Sequence, residues 1–132
     1  MNPTDEQIRK LWEWCGFIGR GRSYTGQEIW IAPDEIEWFD KCVADIHNDG
    51  YARMPEKDSY YKLPPIDLNS LFLYAVPKIT PKTLMMETYG DNGELKYDWC
   101  VLSDKTNGGI WNGNDKDPAL ALFKAILEVI DE

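Results

Sequence analysis

Gly16-Phe17-Ile18-Gly19-Arg20-Gly21-Arg22-Ser23 comes close to the phosphate-binding pattern G-x-x-x-x-G-K-[ST], with Arg22 in place of the lysine. That pattern works where glycine N–H groups cradle phosphate between a strand and a helix N-terminus. Here a helical pattern precedes the glycines, and Ser23-Tyr24-Thr25-Gly26 does not open a helix, so a nucleoside-triphosphatase is not expected. Two readings remain for these residues. One is an ordinary exposed turn punctuated by glycine. The other is an anion site, in which Arg20 and Arg22 clamp the phosphate of a nucleotide and Tyr24 or Trp30 stacks on its base.

The remaining reactive side chains form no set. His47 is the only histidine, five residues after Cys42, and Cys15, Cys42 and Cys100 show no C-x-x-C spacing. An odd number of cysteines without metal-ligand spacing argues against a disulfide framework or a zinc site. Cysteines within patterned elements behave as small apolar residues. Asp115 and Asp117 flank Lys116, but the segment lacks a calcium loop's spacing and distal glutamate. No nucleophile, base and oxyanion donor are grouped, so the expectation is no catalytic residue, no metal and no cofactor.

Charge supplies a stronger signal. The 132 residues carry 14 basic and 23 acidic side chains, net −9, which disfavours direct binding to nucleic acid or an anionic membrane. Between Glu28 and Asp49 lie seven acids (Glu28, Asp34, Glu35, Glu37, Asp40, Asp45, Asp49) and one base, Lys41. Glu37, Lys41 and Asp45 fall on one helical face, which a solvated helix with an i, i+4 pair explains. The same face can instead dock on a basic groove. Tyr51, Arg53, Lys57, Tyr60, Tyr61 and Lys62 follow, and tyrosine and arginine are enriched where interfaces concentrate their energy.

The elements that position these residues are legible in part. Thr4 and Gln7 form a capping box, and Ile8, Leu11, Trp12 and Cys15 make one stripe of a helix from Thr4 to Cys15 ended by Gly16. Residues 16–26 read as a loop and Glu28–Ala32 as a short strand. Asp34 with Glu37 starts a second helix carrying Ile36, Phe39, Val43 and Ile46, which stops near Asn48-Asp49-Gly50. Residues 49–65 show no period and form a long connection. Asp67 caps a short helix with Leu68, Leu71, Phe72 and Ala75 buried, which Pro77 ends.

Thr83–Tyr89 and Glu94–Leu102 flank the turn Gly90-Asp91-Asn92-Gly93, and Ile110–Asn112 adds a third strand. Asp117 caps and Pro118 opens a last helix through Ile130, whose stripe is Leu120, Phe123, Leu127 and Ile130, widened by Leu122 and Ile126. The expected fold is a single α+β domain over 1–132, an antiparallel sheet of three to four strands packed with helices. The apolar runs are too short for a transmembrane helix, the N-terminus lacks a signal peptide's apolar stretch, and a reducing cytoplasm is the expected compartment.

TDEQIRKLWEWCGF, LPPIDLNSLFLYAVPKI and DPALALFKAILEVI together resemble a family of small bacteriophage and prophage proteins assigned a phage ABA-sandwich domain. The resemblance implies that fold and origin, and carries no activity and no catalytic residues. Relative to that family, residues 28–62 look like an inserted acidic helix and loop, where a particular function would reside. The resulting expectation is a non-enzymatic phage protein in the bacterial cytoplasm. It inhibits a host factor with a basic nucleic-acid-binding groove, as an anti-CRISPR protein does. Its contact residues would be Asp34, Glu35, Glu37, Asp40, Asp45, Asp49, Tyr51, Arg53, Tyr60 and Tyr61. A nucleotide-sequestering module using Arg20, Arg22, Tyr24 and Trp30 is the alternative, and a self-assembling structural or regulatory protein is a third.

Overall fold

Thr4 begins the first helix as expected: its Oγ1 accepts from the Gln7 N–H at 3.1 Å while its own N–H donates to Gln7 Oε1 at 3.0 Å. The computed structural model describes residues 2–22, 26–37, 40–41, 62–104 and 108–131. They contain α1 (Asp5–Trp14), β1 (Ile18–Arg22), β2 (Glu28–Ile31), α2 (Leu68–Ser70), α3 (Val76–Ile79), β3 (Thr83–Asp91), β4 (Glu94–Leu102), β5 (Ile110–Asp115) and α4 (Pro118–Ile130). The class is α+β, with one two-stranded and one three-stranded antiparallel sheet. The chain divides into two units, Met1–Cys15 with Pro64–Glu132, and Gly16–Leu63.

In the first unit the sheet runs β3-β4-β5. The β3–β4 hairpin closes on Asn92 (φ 52) and Gly93 (φ 81), so β3 reaches Asp91 and the turn is two residues long rather than four. Left-handed backbone at both central positions suits a tight turn between right-twisted strands. Directly opposed residues share a face. Leu84, Val101 and Trp111 therefore form one row toward α4, and Met86, Trp99 and Gly113 the next.

Gly113 decides how closely α4 lies on the sheet. A Cβ there would stand 2.4 Å from the carbonyl oxygen of Ala121 and 2.5 Å from the backbone nitrogen of Ala125. The buried stripe of α4 is rotated accordingly. Ala121, Leu122, Ala125 and Ile126 are fully buried, whereas Leu120 and Ile130, expected at its centre, are only half-buried. Asp117 caps α4 as expected, accepting from Ala119 N at 2.8 Å and Leu120 N at 3.3 Å. Leu11, Trp12, Leu71, Ala75 and Val101 complete the fully buried core of this unit. Trp12 Nε1 donates to Pro64 O at 3.1 Å, and Trp99 Nε1 to Pro118 O at 2.9 Å, so each buried indole has an acceptor.

Pro77 does not end the short helix. Asp67 accepts from Ser70 N at 2.7 Å, as expected of a cap, and Leu71–Ala75 then form a π-helical turn that leads into α3. Val76 N–H bonds the carbonyl of Leu71, five residues back. The wider turn loosens the ladder just where proline cannot donate and its ring would crowd a normal turn.

Candidate functional site

In the unit Gly16–Leu63, the glycine-arginine segment read as a loop is a strand. β1 pairs antiparallel with β2, matching Ile18 to Ile31, Gly19 to Trp30 and Arg22 to Glu28. Three steps along β1 correspond to two along β2, so β1 holds one extra residue, and Gly21 sits there at φ +89. This is a β-bulge, and glycine supplies the left-handed backbone that it needs. A ladder of this kind already uses much of the backbone that a phosphate cradle would require.

The bulge also separates the two arginines. Trp30 and Glu28 are two apart on β2 and share a face, and their partners Gly19 and Arg22 lie on that face with them. Arg20, next to Gly19 and before the bulge, belongs to the opposite face. A cleft of ≈ 300 Å³ is accordingly lined by Gly19, Gly21, Arg22, Glu28, Ile29 and Trp30, without Arg20. Arg20 and Arg22 thus start from opposite faces of the strand, an arrangement that does not favour the expected phosphate clamp.

Each arginine also meets a carboxylate of its own unit. Arg20 Nη2 donates to Asp40 Oδ1 at 3.0 Å and to Oδ2 at 3.2 Å. Arg22 stands 3.5 Å from Glu28 Oε1, and its Nη1 donates to Gly26 O at 2.9 Å. Trp30 Nε1 donates to the other Glu28 oxygen at 3.2 Å, and the Trp30 ring lies over Gly19. The cleft thus presents an indole together with a carboxylate that is already engaged by Arg22, a poor match for a nucleotide phosphate.

No family model matches this chain. No curated protein and no solved structure matches it either.

Of the expected acidic contact residues, Asp34, Glu37 and Asp40 are exposed and Glu35 is half-buried. Glu35 N–H bonds the Ala32 carbonyl at 2.9 Å in a turn, and the backbone is helical from Ile36. Asp34 therefore lies in that turn rather than at the helix cap. Asp45, Asp49, Tyr51, Arg53, Tyr60 and Tyr61 lie outside the described residues, as do Tyr24, Cys42, His47 and Lys57. Charge is spread more widely than the 28–49 segment indicates. Nine acids against six bases give residues 16–63 a net −3, and 14 against eight give the other unit −6.

Part of that second contribution lies on the sheet face turned away from α4. Glu87 is directly opposite Asp98, and Asp98 directly opposite Asn114. Asp98 Oδ1 is buried and accepts no hydrogen bond from the described residues. Burial pushes the neighbouring Cys100 thiol up, and the charges of Asp98 and Glu87 add to the shift. Nearer the hairpin end, Lys96 Nζ donates to Asp91 at 2.8 Å, which together with the charge of Asp91 raises the Lys96 pKa.

At the start of α4 a polar groove of ≈ 600 Å³ is lined by lysines and acids in equal number, among them Lys124 and Asp115. Burial alone would raise the Asp115 pKa. The Lys124 ammonium at 2.7 Å and the Asp117 N–H at 2.9 Å outweigh it and hold the carboxyl below its usual range. Both lining charges are thus balanced within the protein. Among the described residues no group of three His, Cys, Asp or Glu side chains could hold a metal ion, and no helix is long and apolar enough to cross a membrane.

Proposed function

We propose that this chain is a non-enzymatic binding protein of bacteriophage origin that inhibits a host factor in the bacterial cytoplasm. In this reading it presents carboxylates to a partner with a basic nucleic-acid-binding groove, in the manner of an anti-CRISPR inhibitor. One observation carries the reading. Arg20 and Arg22 are both neutralised inside their own unit, while Asp34 and Glu37 stand exposed, with no ion pair to a described residue. The surface around them therefore offers negative charge while Arg20 and Arg22 are already engaged, a condition that favours electrostatic steering toward a basic partner. The net charge of −9 supports the same reading, and the resemblance of three segments to phage proteins supports the origin.

The test is capture of partners from bacterial lysate with the tagged chain, washed at rising salt, in parallel with the double reversal Asp34→Lys/Glu37→Lys. Recovery of a basic nucleic-acid-handling protein that salt releases and the reversal abolishes is the expected result. Capture that the reversal leaves unchanged overturns the assignment of the contact to these carboxylates.

A further inference from the structure

Spontaneous deamidation needs an asparagine whose following backbone nitrogen can reach its side-chain carbonyl carbon. Glycine, with no Cβ, obstructs that approach least. The sequence holds three such pairs, Asn92-Gly93, Asn107-Gly108 and Asn112-Gly113, and residue order alone treats them alike. Asn107 lies outside the described residues, and the fold separates the other two.

Asn112-Gly113 is locked. It lies within β5, paired with Cys100 and Trp99 of β4, and the Asn112 N–H donates to Glu128 Oε2 at 3.3 Å. Gly113 is buried so tightly that a Cβ would stand 2.4 Å from the Ala121 carbonyl oxygen. Ring closure requires rotation about the Cα–C bond of Asn112, which would swing the Gly113 peptide against α4. The strand would first have to leave its neighbours.

Asn92-Gly93 differs on every count. Both residues are exposed and occupy the two central positions of the β3–β4 turn, and a Cβ on Gly93 would meet nothing within 4 Å. Rotation there disturbs only the tip of a hairpin, where opening costs far less than in a strand packed on a helix.

We propose that Asn92 is a site of spontaneous deamidation in the folded protein, selected over Asn112 by the fold. The Gly93 nitrogen gives up its proton to hydroxide and attacks Asn92 Cγ. A new N–C bond forms, the Cγ–Nδ2 bond breaks and ammonia leaves. Water then opens the five-membered imide at one of its two carbonyls, leaving aspartate or isoaspartate, so that amide and water become acid and ammonia. Either product adds a carboxylate between Asp91 and Glu94 and takes the net charge from −9 to −10. The iso form also lengthens the main chain within a two-residue turn, against the pairing of Asp91 with Glu94. This site is independent of the acidic contact and of the partner's identity.

The test holds the purified full chain in mildly alkaline buffer, natively and in urea, and follows each asparagine by peptide mass. In the native chain the Asn92 peptide is expected to gain the mass of amide-to-acid exchange while the Asn112 peptide stays unchanged. In urea the two should convert at comparable rates, because the protection of Asn112 belongs to the fold. Asn92 unconverted in the native chain, Asn112 converting there as fast as Asn92, or a difference that persists in urea overturns the proposal.

Discussion

Arg20 and Asp40 are tied through one guanidinium nitrogen, Nη2, which reaches Oδ1 at 3.0 Å and Oδ2 at 3.2 Å across 20 positions of sequence. The pair is solvent-accessible, with side chains 36% and 55% exposed, so its contribution to stability is small. Its larger consequence is for charge: Asp40 is the one exposed acid of its segment whose cation the described structure identifies. Reversing Asp40 to lysine would set two cations face to face. It should lower the melting temperature slightly and leave the steering charge of Asp34 and Glu37 in place. Reversing Asp34 and Glu37 should do the opposite, sparing stability and weakening partner association, most strongly at low salt. Paired thermal melts and salt-dependent binding rates separate the two.

Glu28 closes the anion route at Arg22. The unmodified chain should gain no thermal stability from saturating nucleotides. Glu28→Gln removes the carboxylate 3.5 Å from Arg22 and should allow weak stabilisation by inorganic pyrophosphate. Clear stabilisation of the unmodified chain by any nucleotide would show that Arg22 is available as it stands.

Gly113→Ala tests the closest approach in the fold. The added Cβ would press on backbone of Ala121 and Ala125, which cannot swing aside as a flexible side chain can. The expected loss is about 3 kcal/mol in urea unfolding, at the upper end of overpacking costs. A change below about 1 kcal/mol would mean that α4 slides on the sheet at little cost.

Cys15 should be a silent thiol. Burial pushes its pKa from 9.0 up to about 12, with Lys78 pulling weakly the other way. At pH 8 alkylation should reach the half-buried Cys100 before Cys15, and urea should abolish the difference. The folded pKa lies above the unfolded value, so this group's contribution is complete below pH 9 and is lost as pH rises toward 12. Unfolding followed across that window should show falling stability, and less so in Cys15→Ala relative to its own starting value.

Asp115 gives the opposite pH dependence. Its folded pKa is lowered by Lys124 and the Asp117 N–H, so its contribution is present above the ordinary carboxylate range and is lost as pH falls through the folded value. Asp115→Asn should flatten the acid limb of the stability profile and leave the alkaline limb unchanged.

Short-range chemistry was readable from residue order. Thr4, Asp67 and Asp117 all cap helices, because a side-chain oxygen beside a free N–H needs no distant partner. The alternation Leu95, Tyr97, Trp99, Val101 marks a strand for an equally local reason. The errors share a cause as well. Pro77 predicts a helix end because a proline at normal helical spacing crowds the turn before it, and only the π-turn relieves that conflict. Gly21 between two arginines has the composition of a loop, yet an isolated glycine within a strand also marks a bulge, and only pairing with β2 distinguishes the two.

By itself the sequence determined the net charge, the α+β class, the helix caps and the hairpin, all set by composition or by residues within a few positions of one another. Tertiary structure decided that Arg20 and Arg22 lie on opposite faces of β1, that Asp40 and Glu28 hold them, that Gly113 seats α4, and that β4 is the central strand between β3 and β5. Each of these depends on which strand or helix becomes a neighbour, and that choice belongs to the packing of the whole unit rather than to any local run of residues.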